Sequence, residues 1–587
     1  MSQPKNSNQR ERHQRKATEL RDALLASDWK SLRKTLKSSG SGPAKPQSIL
    51  LWAKKTLPLS YLRRLAPLFN QLDNLTPADF EAVGKFWHDN ECLSEAEQAF
   101  RLALSKEPAR LDSIQALAGC FHLTGRLDSV RTLLESARAI YPTNTEILAG
   151  LANTYLDHHE TEQALAAYQL AEEQGGPGAS SFGISFLRAL AYLPDVTADD
   201  LKEAGQDWEQ RYAPPAPHPP LPPVTGRIRV GYYSPDFRNH SISYFIRSFL
   251  PHHNHDQFEV FLYSDSRFTD SVTDELRSYA HHWRDLTKHS HADAVSLIKK
   301  DQLHLLIDLA GHFGNVRPQI FAARPAPIQA HLLGYNGSTG LTSLDYRFSD
   351  PISDPPISDP QSSEKIIRLE PGFHCYQQEP GLEIEEGPPP SSLLGHLTFG
   401  SFNSAPKLND LVIETWAQIL HALPSSRLLL KTLTLTEQAG KDRFLKRFTS
   451  HGIHPDRIDL LPPTLTKIDH LKLYRRLDIA LDPFPVNGTT TTCEAFWMGV
   501  PVIALLGNRH SARVTSSLLS QIGLPEGICH SREDYVARAV AWAQNPTQLA
   551  HWRQSLRSSL TTGPLGDAPT YTAKLEASYQ SLLANHS

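Results

Sequence analysis

The stretch Ile479–Pro501, IALDPFPVNGTTTTCEAFWMGVP, decides how this chain is read. Ile479, Ala480 and Leu481 form a short apolar run that suits a buried strand, and Pro483 and Pro485 end it. Asn487-Gly488 is a turn dipeptide. Four threonines follow, Thr489, Thr490, Thr491 and Thr492, and then an amphipathic helix carrying Glu494 and Trp497. Strand, Gly turn and helix N-terminus in that order make an anion site, because the first helical amides lack intrahelical partners and the helix dipole is positive there. Threonine hydroxyls beside those amides add donors, so a diphosphate can be held without a phosphate-loop lysine or a metal. Glu494, one turn into the helix, is placed to accept from a ribose hydroxyl. The plainer reading is that threonines ahead of a helix are good N-caps.

Around this stretch the chain alternates apolar strands with helical segments. LTFGSF (Leu397–Phe402), SRLLLK (Ser426–Lys431) and RIDLLP (Arg457–Pro462) precede it, DIALD (Asp478–Asp482) opens it, and PVIALL (Pro501–Leu506) follows. An earlier series holds RIRVGYY (Arg227–Tyr233), FEVFLYS (Phe258–Ser264), LHLLIDLA (Leu303–Ala310) and PIQAHLL (Pro327–Leu333). Two such series predict two doubly wound, Rossmann-like lobes facing across a cleft. Pro351–Pro390, rich in Pro, Ser and Glu, reads as a linker between them. Neither lobe has G-x-G-x-x-G, which argues against dinucleotide redox chemistry, and no Asp-x-Asp supports a metal-assisted sugar transferase of the single-lobe kind.

Ligands of open α/β sheets sit beyond the carboxyl ends of the strands. His240, in SPDFRNHSISYF, follows the first strand; it is either a base or donor contact, or a structural residue ahead of a helix. His312 lies in GHFGNVRP after Ala310, and Gly334, Tyr335 and Gly337 lie in the loop GYNGSTG (Gly334–Gly340). In the second lobe SFNSAPKLND (Ser401–Asp410) carries Asn403 and Lys407 just past a strand, where a lysine can neutralise a leaving diphosphate. Lone lysines on surface loops usually do nothing; this one follows a buried strand.

Ahead of the lobes, Leu50–Leu201 is helical by period and repeats every 34 residues. Gly84, Ala118 and Ala152 share a register, as do Trp87, Phe121 and Tyr155, then Ala96, Val130 and Ala164, then Phe100, Leu134 and Tyr168. Small residues let the helices of a hairpin approach, aromatics fill the next gap, and Pro108 and Pro142 close the repeats. That is a tetratricopeptide pattern of at least three repeats, either a docking surface or a spacer. APPAPHPPLPPVT (Ala213–Thr225) reads as an extended, semi-rigid connector and domain boundary.

These motifs carry a resemblance. RPAPIQAHLLGYNGSTG (Arg324–Gly340), DYRFSDPISDPP (Asp345–Pro356), FGSFNSAPK (Phe399–Lys407), DPFPVNGTTTTCEAFWMGVPV (Asp482–Val502) and SLRSSLTTGPLGDAPTYTAKLEASY (Ser555–Tyr579) resemble glycosyltransferase family 41, the tetratricopeptide-linked protein O-glycosyltransferases. The resemblance implies a two-lobed GT-B fold, inversion at the anomeric centre, no metal and no cofactor beyond the nucleotide sugar. It places His240 near the catalytic centre, Lys407 at the donor diphosphate, and Thr490 and Thr491 on the phosphates. One branch of the family, the O-GlcNAc transferases, carries a histidine and an aspartate where this chain has Thr489 and Glu494. GTTTTCE, MGVP and the HSxSYF run resemble the SPINDLY branch instead. The implied donor is therefore UDP-GlcNAc or GDP-fucose, and the acceptors are Ser and Thr of proteins recruited by the array. The rival readings are a scaffold with inactive lobes, and a glycosyltransferase acting on a small molecule or glycan.

The whole sequence fits this outline. Its 587 residues exceed what one core can organise. The net charge of −4 gives no global reason to expect nucleic acid, and no apolar run approaches the ~20 residues of a membrane span. Cys92, Cys120, Cys375, Cys493 and Cys529 are scattered without a CxxC pair, the pattern of a reduced, cytoplasmic protein without a metal cluster. The expected layout is a basic, solvated tail over 1–48, a helical array over 49–211, a linker over 212–225, the first lobe with its linker over 226–390, and the nucleotide-sugar lobe over 391–587.

Overall fold

The computed structural model describes residues 75–586 except Pro177, and within the first 74 residues only Thr18 and Arg63. The expected tail over 1–48, Thr18 apart, and the expected start of the array therefore lie outside the described residues. The chain forms two compact units, Met1–Thr154 and Tyr155–Ser587.

In the first unit the described residues form the helices Pro77–His88, Leu93–Lys106, Leu111–Leu123 and Leu127–Ile140, and most of Thr145–Asp157. Thr76 opens the first with a reciprocal capping box to Asp79. A Cβ on Gly84 would lie 2.6 Å from Phe100 Cε1. The aromatic of one helix thus lies against the backbone of its partner, which is why the 34-residue pattern has a small residue there.

The second unit opens with Thr161–Glu173, Ala179–Leu190 and Ala198–Tyr212. Helices begin at Pro77, Leu111, Thr145 and Ala179, 34 residues apart, so the tetratricopeptide pattern extends to a fourth hairpin. Its second helix begins at Ala198, three residues beyond the register set by Leu93, Leu127 and Thr161, and that slip hid it from the repeat count.

Two all-parallel sheets follow. The first takes β1 (Ile228–Ser234), β2 (Phe258–Ser264), β3 (His282–Asp285), β4 (Leu305–Asp308), β5 (Ile328–His331), β6 (Tyr346–Ser349) and β7 (Lys365–Arg368) in the order β3-β2-β1-β4-β5-β6-β7. The second takes β8 (Thr398–Ser401), β9 (Arg427–Lys431), β10 (Ile458–Leu461), β11 (Ile479–Leu481), β12 (Val502–Leu505) and β13 (Ile528–Cys529) in the order β10-β9-β8-β11-β12-β13. Every strand anticipated from the sequence is present. The unanticipated ones, β3, β6, β7 and β13, lie towards the sheet edges, where half-buried residues such as those of HWRD (His282–Asp285) leave no apolar run. In each sheet the winding reverses once, between β1 and β4 and between β8 and β11, and each reversal opens a crevice at the strand carboxyl ends.

Two expected linkers are built into the second unit. Ala213–Thr225 has no regular structure, but Ala213 is buried, Ala216 N–H donates to Ala322 O at 2.7 Å, and Leu221 packs on the core of the lobes. Ile184, Leu187 and Trp208 of the fourth hairpin share a core with Tyr233, Leu303 and Phe321 of the first lobe. The compact-unit boundary accordingly falls after Thr154 and not at 212–225, because the apolar face of the last hairpin is covered by the lobe. Within Pro351–Pro390, Phe373, Cys375, Tyr376 and Ile384 are buried, and Tyr376 N–H donates to Leu565 O at 2.8 Å. The segment therefore straps the lobes together. The last helix, Ala568–His586, returns to the first lobe, where Tyr579 meets Tyr232 hydroxyl to hydroxyl at 3.0 Å and Glu576 receives His253 at 2.8 Å. No described helix is long and apolar enough to cross a membrane.

Candidate active site

The two crevices face one cavity of about 450 Å³. The loop after β1 contributes Asp236 and His240, the loop after β5 contributes Gly334, Tyr335 and Asn336, the loop after β8 contributes Asn403 and Lys407, and the segment after β11 contributes Thr489, Thr490 and Thr491. A Cβ on Gly334, whose φ is +72°, would lie 2.4 Å from Leu309 O, so only glycine lets this loop lie against the end of β4.

The threonine stretch builds as its local chemistry dictates. Asp482 directly follows β11 and accepts the Gly488 N–H at 2.8 Å, closing the turn. A Cβ on Gly488 would lie 2.5 Å from Thr491 Oγ1 and 2.8 Å from Asp482 Oδ1, so the turn tolerates no side chain. The helix Thr490–Trp497 then begins with no side-chain cap from Thr489. The N-cap reading of the threonines therefore fails at Thr489, and the hydroxyls are engaged elsewhere. Thr489 Oγ1 accepts from Asn336 Nδ2 at 3.5 Å, Thr490 Oγ1 donates to Ser241 O at 3.5 Å, and Thr491 Oγ1 donates to Asn403 Oδ1 at 3.1 Å. Loops of both lobes thus meet at the helix entrance.

Lys407 Nζ donates to Asn487 O at 2.6 Å beside that entrance. Burial lowers its pKa to about 8 even though the charge of Asp482 works the other way. Asp482, 2 % exposed, has its pKa raised to about 7 by burial, against the Gly488 hydrogen bond and the charge of Lys407, and its Oδ2 has no partner. Burial also lowers the pKa of His240, with Asp236 (Nδ1 to Oδ2, 3.9 Å) opposing, so the imidazole is neutral near pH 7. The Ile242 amide points at its Nδ1 at 3.4 Å.

Several anticipated residues stand behind the cavity. Thr492 is buried, its hydroxyl 3.3 Å from that of Thr515. Glu494 is buried and receives Lys467 Nζ, His470 Nε2 at 2.8 Å and Tyr474 OH at 3.2 Å. Burial would raise its pKa, but the His470 hydrogen bond and the Lys467 charge hold it at about 2. Its carboxylate anchors a cation cluster behind the threonines and is not among the cavity walls. His312 is buried and clamps loops, its Nε2 2.7 Å from Thr339 O, and Gly337 and Gly488 are likewise not lining residues.

Other lining residues were not singled out from the sequence. Arg188 and Tyr192 come from the last hairpin, and His374 comes from the stretch read as linker. Asp482 had one available signal: an acidic residue at a strand's carboxyl end, six positions before a Gly turn.

Two parallel, doubly wound lobes closing on a helix entrance, behind a tetratricopeptide hairpin, define a GT-B architecture. The family model described as Glycosyl transferase family 41 matches residues 214–378 and 395–575, and the chain belongs to that family. It is 36% identical over 422 residues to a protein of Solanum lycopersicum named probable UDP-N-acetylglucosamine–peptide N-acetylglucosaminyltransferase SPINDLY, covering 69% of this chain and 44% of the relative. An Arabidopsis thaliana relative named SEC is 33% identical over 383 residues, covering 62% of this chain and 38% of its own length. The chain thus spans less than half the length of these curated relatives. Among solved structures, a mutant of the Thermobaculum terrenum O-GlcNAc transferase matches with a TM-score of 0.81 at 30% identity, over 87% of this chain and 98% of that one.

Proposed function

We propose that the protein is a cytoplasmic glycosyltransferase that moves one sugar from a nucleoside diphosphate sugar to Ser and Thr hydroxyls of proteins, with inversion and without a metal. One observation carries this reading: Lys407, Asn403 and the Thr489–Thr491 helix entrance of one lobe line a single cavity with His240 of the other. The acceptor oxygen forms its bond to the anomeric carbon as the bond from that carbon to the diphosphate oxygen breaks. The charge that develops on the leaving diphosphate is met by the Lys407 ammonium and the free amides of Thr490–Trp497, which serve where a divalent cation serves in other transferases. His240, neutral at working pH, orients the acceptor hydroxyl or takes its proton. Glu494 acts on the donor indirectly, by setting Lys467 and His470 behind the threonines.

The donor is UDP-GlcNAc or GDP-fucose. The plant relatives are named for a UDP-N-acetylglucosamine donor, and Thr489 and Glu494 stand at the positions where the branches differ. Calorimetric titration of UDP and GDP, followed by transfer from each nucleotide sugar to a mixed protein acceptor with EDTA present, tests the reading. Binding of neither nucleotide, or transfer only with added metal, would overturn it.

A further inference from the structure

A second recess of about 370 Å³ adjoins the donor cavity, and Arg188 and Gly314 line both. One wall is a single face of the helix Ala179–Leu190, on which Ser181, Ser185 and Arg188 recur at helical spacing. The other is made by loops of the first lobe, with Arg267, Asn315 and His312. Its charge is lopsided. The carboxylate there, Asp265, is already taken by Arg317 Nε at 2.5 Å and Tyr233 OH at 3.0 Å. Burial lowers the pKa of His291, with the charge of Arg317 acting the same way, so it adds little cation near pH 7. Arg188 already interacts with Tyr168 and Asp157, which leaves Arg267 to set the sign. Arg267 is exposed, and among the described residues no hydrogen bond or ion pair engages it.

His312 supplies a second, independent signal. It is 1 % exposed, and with Nε2 donating to Thr339 O its Nδ1 carries a lone pair. That Nδ1 has no partner. A buried acceptor without a donor is unfavourable, and here it belongs to a residue that lines the recess. A ligand that fits must bring both an anion for Arg267 and an N–H or O–H donor for His312. An acidic stretch of polypeptide carries both and, unlike hydrogen phosphate, which also carries both, can run on into the adjoining donor cavity; a neutral sugar brings no anion.

We propose that this recess is an acceptor subsite that takes an Asp or Glu side chain flanking the modified Ser or Thr, while a backbone N–H of the same segment reaches His312 Nδ1. The inference rests on the protein-transferase reading for the word acceptor, and on the recess alone for its preference for acidic peptide. The test uses the full chain and two fluorescent peptide pools that share a central Ser/Thr and differ in having Glu or Lys at the flanking positions. Anisotropy without donor should show the Glu pool binding at least tenfold tighter than the Lys pool, and Arg267→Glu should erase or invert that order. Arg267 lies outside the donor cavity, so titrating the variant with nucleoside diphosphate reports separately on that cavity. Ser185→Trp, which fills the recess, should weaken the Glu pool by a similar factor. Equal binding of both pools by the wild type, or an unchanged preference in Arg267→Glu, overturns the subsite. If the preference holds and no sugar is transferred to either pool, the transferase reading fails and the subsite stands.

Discussion

Replacing Lys407 with Ala removes the cation nearest the Thr489–Thr491 entrance and leaves a buried carboxylate behind it. A charge-assisted contact to a phosphate oxygen is worth about 1.5–3 kcal/mol in the bound ground state. A preorganised donor aimed at charge that develops in the transition state is worth about 3–4 kcal/mol, or ~10²–10³ in kcat. Nucleotide affinity should therefore fall by ~10–100-fold and turnover by more. Asp482 sharpens the expectation, because its Oδ2 has no partner and its pKa already stands at about 7 beside the lysine. Without Lys407 the carboxylate faces the diphosphate alone, so the variant should bind nucleotide better at pH 6 than at pH 8. Lys407→Ala with Asp482→Asn should recover part of that ground-state loss. In the wild type Lys407 is cationic below about 8. Affinity tied to its charge is therefore present below that pH and lost as pH rises through it, and this step should be absent from the double variant, which carries neither titrating group. The assay is nucleoside diphosphate calorimetry from pH 6 to 9 with single-turnover donor hydrolysis, and thermal melts to confirm folding. A folded Lys407→Ala that hydrolyses donor at the wild-type rate, or a double variant that keeps the decline near pH 8, refutes the assignment.

Four further outcomes follow from the same geometry. Thr491→Val keeps the side-chain shape but loses the hydroxyl on Asn403, and it should weaken the true nucleotide by about 1–3 kcal/mol in the same titration. Glu494→Ala strips the acceptor from Lys467, His470 and Tyr474 and should cost about 3–5 kcal/mol of stability at pH 7. Because the native carboxyl is depressed to about 2, its contribution is present above about 4.5 and lost as pH falls towards 2, so melts of variant and wild type should converge in acid. Glu209→Ala leaves the Thr342 amide and the buried Ser343 amide without their acceptor. It should cost about 1–3 kcal/mol in denaturant melts and raise the donor KM, since the loop it holds lines the cavity at Gly334–Asn336. Removing residues 1–154 should leave nucleotide binding intact, whereas removing 1–212 takes Ile184, Leu187 and Trp208 out of the lobe's core and should yield a protein without a cooperative melt.

Features set by local rules were legible in the sequence. The period-2 and continuous apolar runs marked the central strands, and the 34-residue register marked the hairpins because each repeat must meet its neighbour with the same small and aromatic residues. The turn at Asn487-Gly488 and the helix after it follow from backbone preferences within a few residues. The rule that ligands sit at strand carboxyl ends brings His240, Asn403, Lys407 and Thr489–Thr491 together from the sequence alone. Only the tertiary structure decided what depends on partners distant in the chain. Glu494 and Thr492 share a helix with Thr490 and Thr491, but their side chains are claimed behind the cavity by Lys467 and Thr515. His312 stands outside the donor cavity because its ring is held by a hydrogen bond to Thr339 O. A proline-rich run looks like a free connector until Ala322 and the core beneath Leu221 claim it. Arg188 and Tyr192 belong by register to the helical array, yet they line the donor cavity because the apolar face of their hairpin is buried by the first lobe. Burial and charge compensation are sums over neighbours from the whole fold, and no window of sequence contains those neighbours.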